Sequence, residues 1–122
     1  MYRNSNYGFA LLALCIGLLT GCATASGERP AEGEQASIEG AIASIDTKPW
    51  TYDGSAVIRI DTRTQGRVDV RLPARWNLCK APPVDVEGLA VGMRVRATGA
   101  ADAQGGLVVC QDAAHRLVPA TP

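Results

Sequence analysis

Two short runs in which apolar and charged residues alternate constrain the fold of this chain more than any other feature. In residues 56–62 isoleucines alternate with charged side chains, and in residues 67–72 valine and leucine alternate with arginine and aspartate. A period of two places the apolar side chains on one face of a β-strand. The Gln65-Gly66 pair between the runs supplies a tight turn. The sequence therefore predicts a β-hairpin with one apolar and one charged face.

Three further runs continue the β pattern. Residues 38–46 change the phase of their apolar positions between Ile42 and Ile45, which predicts a β-bulge. Residues 93–98 alternate apolar and polar side chains, and residues 107–111 carry apolar side chains on both faces. Five short strands within about eighty residues predict a small all-β barrel or sandwich.

The order of these strands narrows the fold class. The connection over residues 73–91 contains prolines that exclude a long helix. Three strands, a longer connection and a two-stranded hairpin follow the order of the OB-fold, and segments 89–99 and 105–109 resemble the last two strands of bacterial periplasmic OB-fold domains. The resemblance implies a five-stranded OB-like barrel over residues 38–118, and an SH3-like barrel or another small all-β fold is the alternative.

The beginning of the chain carries an export signal. A polar start with Arg3 leads into an apolar run over residues 9–19, which spans about half of a ~30 Å hydrocarbon core and therefore predicts a leader, not a spanning helix. The run ends at Leu19-Thr20-Gly21-Cys22, which resembles the lipobox of bacterial lipoproteins. The resemblance implies cleavage before Cys22 and acylation of that cysteine.

Lipidation would also determine where the protein resides. By the same resemblance, Ala23 after the cysteine, where Asp would retain the protein at the inner membrane, implies sorting to the outer membrane. The domain would then lie in the periplasm or at the cell surface. An ordinary signal peptide cleaved after Ala23 or Ala25 is the alternative, and it would release a secreted protein.

A tether is predicted between the anchor and the domain. Residues 23–37 are small or charged and include no large apolar side chain, so they cannot bury enough surface to offset the entropy of ordering. A flexible segment of this length would hold the domain about 20 Å from the membrane. The predicted organisation is a signal peptide over residues 1–21, a lipidated cysteine and tether over residues 22–37, and the barrel over residues 38–118.

Two cysteines remain inside the domain. Cys79 follows the third strand and Cys110 lies in the fifth, and these strands are neighbours in an OB barrel. Because an exported domain meets an oxidising compartment, the two thiols are predicted to form a disulfide. The alternative joins both cysteines to Asp112 and His115 as a zinc or copper site, but a lone histidine near a terminal strand is more often at the surface. No metal and no other cofactor is predicted.

Catalysis is not indicated by any group of residues. His115 is the only histidine in the chain, no Gly-flanked serine accompanies it, and nothing marks a pair of carboxylates. The protein is therefore predicted not to be an enzyme.

Binding is the predicted function, because OB barrels commonly bind ligands on the outer face of their second and third strands and on the adjoining loops. Here that face would carry Arg59, Asp61, Arg63, Arg67, Asp69 and Arg71. The loop before the second strand adds Trp50 and Tyr52, whose rings could stack on a sugar, a peptide or a base. The outward Asp and Arg residues are more readily explained as cross-strand ion pairs, and Trp76 is predicted to pack over the core. For Trp50 the alternative is that it caps the mouth of the barrel.

Charge limits the class of partner. Twelve basic residues balance twelve acidic ones, so no strong field attracts nucleic acid, and no nucleic-acid partner is expected. The predicted partners are the membrane, through the lipid anchor, and an envelope protein or small ligand. A structural or stress-related adaptor that docks to another envelope protein is the alternative function.

Overall fold

The chain forms one β-sheet that closes on itself. The computed structural model describes residues 30–74 and 76–120. Its strands are β1 (Gln35–Asp46), β2 (Ala56–Thr62), β3 (Gly66–Leu72), β4 (Arg94–Ala101), β5 (Leu107–Val108) and β6 (Arg116–Pro119). Short 3-10 turns cover Lys48–Tyr52, Trp76–Leu78 and Val86–Gly88. In the described ranges no helix has the length and apolar character needed to cross a membrane.

The strand order is that of an OB barrel. β1 pairs antiparallel with β2, β2 with β3, and β4 with β5, whereas β3 and β5 are parallel. β4 also pairs antiparallel with the first half of β1, which closes the order β1-β2-β3-β5-β4-β1. The predicted all-β, five-stranded OB-like barrel is confirmed.

The fifth strand of the barrel is interrupted. β5 and β6 follow one another along the same edge of β4, with Val108 opposite Ala100 and Arg116 opposite Thr98. Residues 109–115 leave the sheet between them. The sequence predicted one run over residues 107–111 and did not predict β6, because β6 is short and the polar residues before it read as the end of the strand.

The predicted bulge in β1 is confirmed. Ile42 lies opposite Ile60 and Ile45 opposite Ile58, while the register shifts between Ile42 and Ser44. The extra residue restores Ile45 to the side of the sheet that faces the interior. A bulge also bends the strand. β1 pairs with β4 through its first half and with β2 through its second half, and the bulge lies in the second half.

The barrel begins earlier than the sequence predicted. β1 starts at Gln35, within the segment predicted to be a tether, and it is preceded by two backbone hydrogen bonds to the end of β4. The Gly33 N–H donates to the Ala101 carbonyl at 2.7 Å, and the Ala101 N–H donates to the Glu34 carbonyl at 2.8 Å. The tether was predicted because this segment lacks large apolar side chains. Backbone hydrogen bonding does not require such side chains, so the composition did not reveal the pairing with β4.

The interior is filled by the alternate residues of the strands. The largest fully buried side chains are Ile42, Ile58, Ile60, Leu72, Val70, Val95 and Val109. The connection between β3 and β4 contributes a buried Ala81 and the partly buried side chains of Trp76, Val84, Val86 and Leu89, all of which pack against this core. A proline-containing connection with two short 3-10 turns therefore covers the core here.

The two ends of the barrel carry different features. At the end where the chain enters, Pro30 lines a small cavity together with Gln65 of the β2–β3 turn and Gly105 of the β4–β5 loop. We call this the tether end. The opposite end holds the β1–β2 loop and the beginning of the β3–β4 connection, because β1 and β3 both end there.

Candidate functional site

Cys79 and Cys110 form a disulfide, as predicted, across a sequence separation of 31 residues. The backbone of Cys110 also holds this region together, because its carbonyl accepts hydrogen bonds from the N–H groups of Lys80 at 2.8 Å and Ala81 at 3.0 Å. The Cys110 N–H donates to Nδ1 of His115 at 3.3 Å. These contacts fasten the β3–β4 connection to the segment between β5 and β6.

His115 corrects one expectation. The sequence placed it at the surface, but it is only 2% exposed. The reason is the interruption between β5 and β6, which folds the loop back so that the imidazole accepts the Cys110 N–H. The two thiols of the alternative metal site are bonded to each other. Over residues 30–74 and 76–120, no group of three or more His, Cys, Asp or Glu side chains is arranged to hold a metal ion.

The aromatic residues predicted to bind ligand have different surroundings. Trp50 is partly buried against the core, and its indole N–H donates to the Leu72 carbonyl at 2.8 Å. Trp76 also packs against the core, as the sequence predicted. Tyr52 is 85% exposed. The capping interpretation of Trp50 is therefore confirmed, and Tyr52 is the aromatic side chain that this loop presents to solvent.

Stability measurements should separate these two aromatic residues. Trp50→Ala is expected to lower the free energy of unfolding by about 2 kcal/mol, because it removes a partly buried ring and its hydrogen bond to Leu72. Tyr52→Ala should change it by less than about 0.5 kcal/mol, since the side chain is exposed. Urea unfolding of both variants checks this. Equal losses would mean that Tyr52 packs in solution as Trp50 does.

The outer face of β2 and β3 is a network of ion pairs. Three of its arginines hold carboxylates: Arg59 with Asp69 at 3.2 Å, Arg67 with Asp61 at 2.8 Å, and Arg71 with Asp102 at 2.5 Å. The hydrogen bond from Arg67 lowers the pKa of Asp61 and raises that of Arg67. The cross-strand ion pairs are confirmed, and the exposure of Arg59–Asp69 and Arg67–Asp61 makes these two worth little to stability. This face therefore carries much less free positive charge than its sequence indicated.

Asp102 is a residue of this site that the sequence analysis missed. Its Oδ1 accepts the N–H groups of Gln104 at 2.9 Å and Gly106 at 2.7 Å, while Oδ2 accepts a hydrogen bond from Arg71. Its side chain is 14% exposed. Asp102 thereby holds the β4–β5 loop against β3. An Asp directly before the turn Ala103-Gln104-Gly105-Gly106 is a local signal that could have identified it, because an Asp side chain commonly accepts the N–H two residues further on.

A polar groove lies between this loop and β3. We call it the β3 groove; it has a volume of about 150 Å³ and is lined by Gln65, Arg67, Val68, Asp69, Arg71, Gln104, Gly105 and Gly106. It lies on the face predicted to bind a ligand, at the tether end of the barrel. Of the predicted binding residues, Arg67 and Arg71 line it, whereas Arg59, Arg63, Trp50 and Tyr52 do not.

A second groove lies on the other side of the β2–β3 turn. We call it the hairpin groove; it has a volume of about 390 Å³ and is lined by Ser37, Ile38, Glu39, Thr62, Arg63, Thr64, Gln65 and Arg94. Glu39 accepts a hydrogen bond from Arg96 at 3.1 Å and lies 3.6 Å from Arg94. The hydrogen bond from Arg96 is the largest of the influences that lower the pKa of Glu39.

Comparison with known proteins adds no assignment to this geometry. No protein-family model and no curated protein sequence matches the chain. The predicted signal peptide and Cys22 lie outside the described residues.

Proposed function

We propose that this protein is a lipoprotein, anchored to the bacterial outer membrane through Cys22, whose barrel is a non-catalytic binding module for an envelope protein or a small ligand. The ligand surface is the outer face of β2 and β3. The observation that carries the proposal is the β3 groove, a polar depression on that face with a loop fixed beside it.

The chemistry of the groove favours recognition by hydrogen bonding. The groove is lined by the amides of Gln65 and Gln104 and by the charged side chains of Arg67 and Asp69. It therefore offers a ligand hydrogen-bond donors and acceptors, both neutral and charged. Asp102 fixes the loop before any ligand arrives, which reduces the entropy lost on binding. Because the arginines are already paired, the ligand is recognised by its polar groups more than by its net charge.

The surroundings of the chain's only histidine support a non-catalytic role. His115 is buried beside Cys110, where its Nδ1 already accepts a hydrogen bond, and it lines neither groove. A general base must reach the proton that it removes from a substrate.

The anchor is tested by the mass of the mature protein purified from membranes of its native host, before and after reduction. We expect a mass equal to the chain from Cys22 plus acyl groups, rising by about two daltons on reduction as the disulfide takes up two hydrogens. An unacylated mass would refute the anchor and leave the barrel secreted.

The binding surface is tested by photo-cross-linking in the host. A photoreactive residue at Gln104, which lines the β3 groove, should give a defined adduct. The matched control is Gln111, an exposed glutamine in the loop after β5 that lines neither groove. Asp102→Ala should weaken the adduct at Gln104 by releasing the loop. Adducts of equal yield at both positions, or none at Gln104, would refute the assignment.

A further inference from the structure

Arg63 differs from the other arginines of the barrel. It is exposed in the β2–β3 turn, and among the described residues it is the only arginine whose side chain makes no hydrogen bond or ion pair with another of them. A guanidinium group offers five donors in a planar fork. The donors of Arg63 are therefore available to a ligand.

The hairpin groove, which Arg63 lines, has an excess of positive charge. Arg94 lines the same groove, and the one acidic residue in its lining is Glu39. That carboxylate is shared between Arg94 at 3.6 Å and Arg96 at 3.1 Å. Two guanidinium groups thus contact this carboxylate, and Arg63 lines the groove without an acidic partner, as does the hydroxyl-bearing Thr64. On the β2–β3 face, by contrast, each of the other arginines has an acidic partner.

The position of the groove suggests the source of an anion. The hairpin groove and Pro30 are at the same end of the barrel, since Gln65 lines both the groove and the cavity that Pro30 lines. Cys22 precedes Pro30 by eight residues, which can span at most about 28 Å. An acyl anchor at Cys22 therefore keeps this end of the barrel near the lipid headgroups.

We propose that the hairpin groove binds the phosphate group of a phospholipid headgroup in the membrane that carries the anchor, with Arg63 and Arg94 as the donors. Guanidinium groups bind phosphate oxygens through paired, charge-assisted hydrogen bonds. The phosphate chemistry rests on the groove alone, whereas the lipid source rests on the proposed anchor. Binding would orient the tether end toward the bilayer and leave the Tyr52 loop facing away from it.

The phosphate site is tested first with inorganic phosphate and the purified full-length mature protein in nonionic detergent, at constant ionic strength. We expect the NMR signals of the Arg63 and Arg94 Nε–H groups to shift, with a dissociation constant on the order of 1–10 mM for an exposed site.

Arg63→Gln should raise this dissociation constant at least fivefold. Glu39→Gln should lower it at least twofold, because it removes the competing carboxylate. Arg116→Gln, an equal loss of charge outside the groove, is the control and should leave it unchanged. The absence of a shift at 50 mM phosphate, or equal effects of Arg63→Gln and Arg116→Gln, would overturn the proposal.

The lipid source is tested with the same protein in nanodiscs of phosphatidylglycerol or of digalactosyl diacylglycerol, which lacks phosphate. The Arg63 and Arg94 signals should shift in phosphatidylglycerol alone, and Arg63→Gln should abolish the remaining Arg94 shift. Shifts with inorganic phosphate but in neither nanodisc would overturn the headgroup assignment and leave a site for free phosphate. An unacylated mass would refute the anchor separately, because the phosphate titration does not depend on acylation.

Discussion

Replacing both Cys79 and Cys110 with serine is expected to lower the free energy of unfolding by about 3.5–4 kcal/mol. The disulfide closes a loop with a sequence separation of 31 residues, and the chain-entropy relation gives a loss of this size for a loop of about that length. Small domains have only about 5–15 kcal/mol in total. The midpoint of thermal unfolding should therefore fall by roughly 15–30 °C.

Urea unfolding of four samples measures the effect: the unchanged protein and the double variant, each with and without reductant. Reductant should destabilise the unchanged protein to the level of the double variant and leave the double variant unaffected. The disulfide joins residues outside the strands and replaces none of the strand pairings, so the variant should keep its β-sheet spectrum at low temperature. Identical midpoints for the oxidised protein and the double variant would contradict the prediction.

Local periodicity predicted the strands, and their order and the OB-fold resemblance predicted the barrel. The alternation in residues 56–62 and 67–72 predicted a hairpin, and its inward residues Ile58, Ile60 and Val70 are fully buried. The phase change after Ile42 predicted the bulge. The order of strands then limited the topology. The two cysteines left in an exported domain, one after the third strand and one in the predicted fifth run, predicted the disulfide.

The features that the sequence missed depend on backbone geometry and on contacts between distant residues. β1 extends back to Gln35 because the edge of β4 offers backbone hydrogen bonds. The side chains of this segment do not indicate that pairing. The interruption between β5 and β6 buries His115, which was expected at the surface because a lone histidine near a terminal strand usually lies there. In both cases the decisive hydrogen bonds involve backbone groups, which every residue has. A pattern of side chains therefore cannot predict them.

The predicted binding residues show a similar limit, because the sequence does not reveal which charged side chains are paired in the fold. The sequence counted four arginines on one face, but it could not supply the Arg71 partner Asp102, which lies 31 positions further along the chain. Charge becomes available for binding only where the fold leaves it unpaired. For this reason the structure distinguishes Arg63 from Arg59, Arg67 and Arg71, although the sequence grouped all four.

Gly40→Ala is expected to destabilise the protein by about 3 kcal/mol, although a glycine within a strand is ordinarily improved by alanine. An added Cβ would lie 2.1 Å from the Asp61 carbonyl oxygen and 2.8 Å from the Asp61 carbonyl carbon. These are backbone atoms of β2, so the relief must come from shifting a strand and not from rotating a side chain. The reduced entropy of the unfolded chain returns only about 0.4–1 kcal/mol.

The matched control is Gly88→Ala in the β3–β4 connection, where the added Cβ would lie 2.7 Å from the Asp85 carboxylate. That group is the end of an exposed side chain and can move, so the change should remain within about 0.5 kcal/mol. Urea unfolding of both variants, with the disulfide intact, gives the comparison. Equal midpoints would mean that β2 does not approach β1 so closely in solution.

Gly40 pairs with Thr62 of β2 and with Val95 of β4 at once. A large loss in Gly40→Ala would therefore show that barrel closure requires a glycine at the residue where β1 passes from one partner strand to the other.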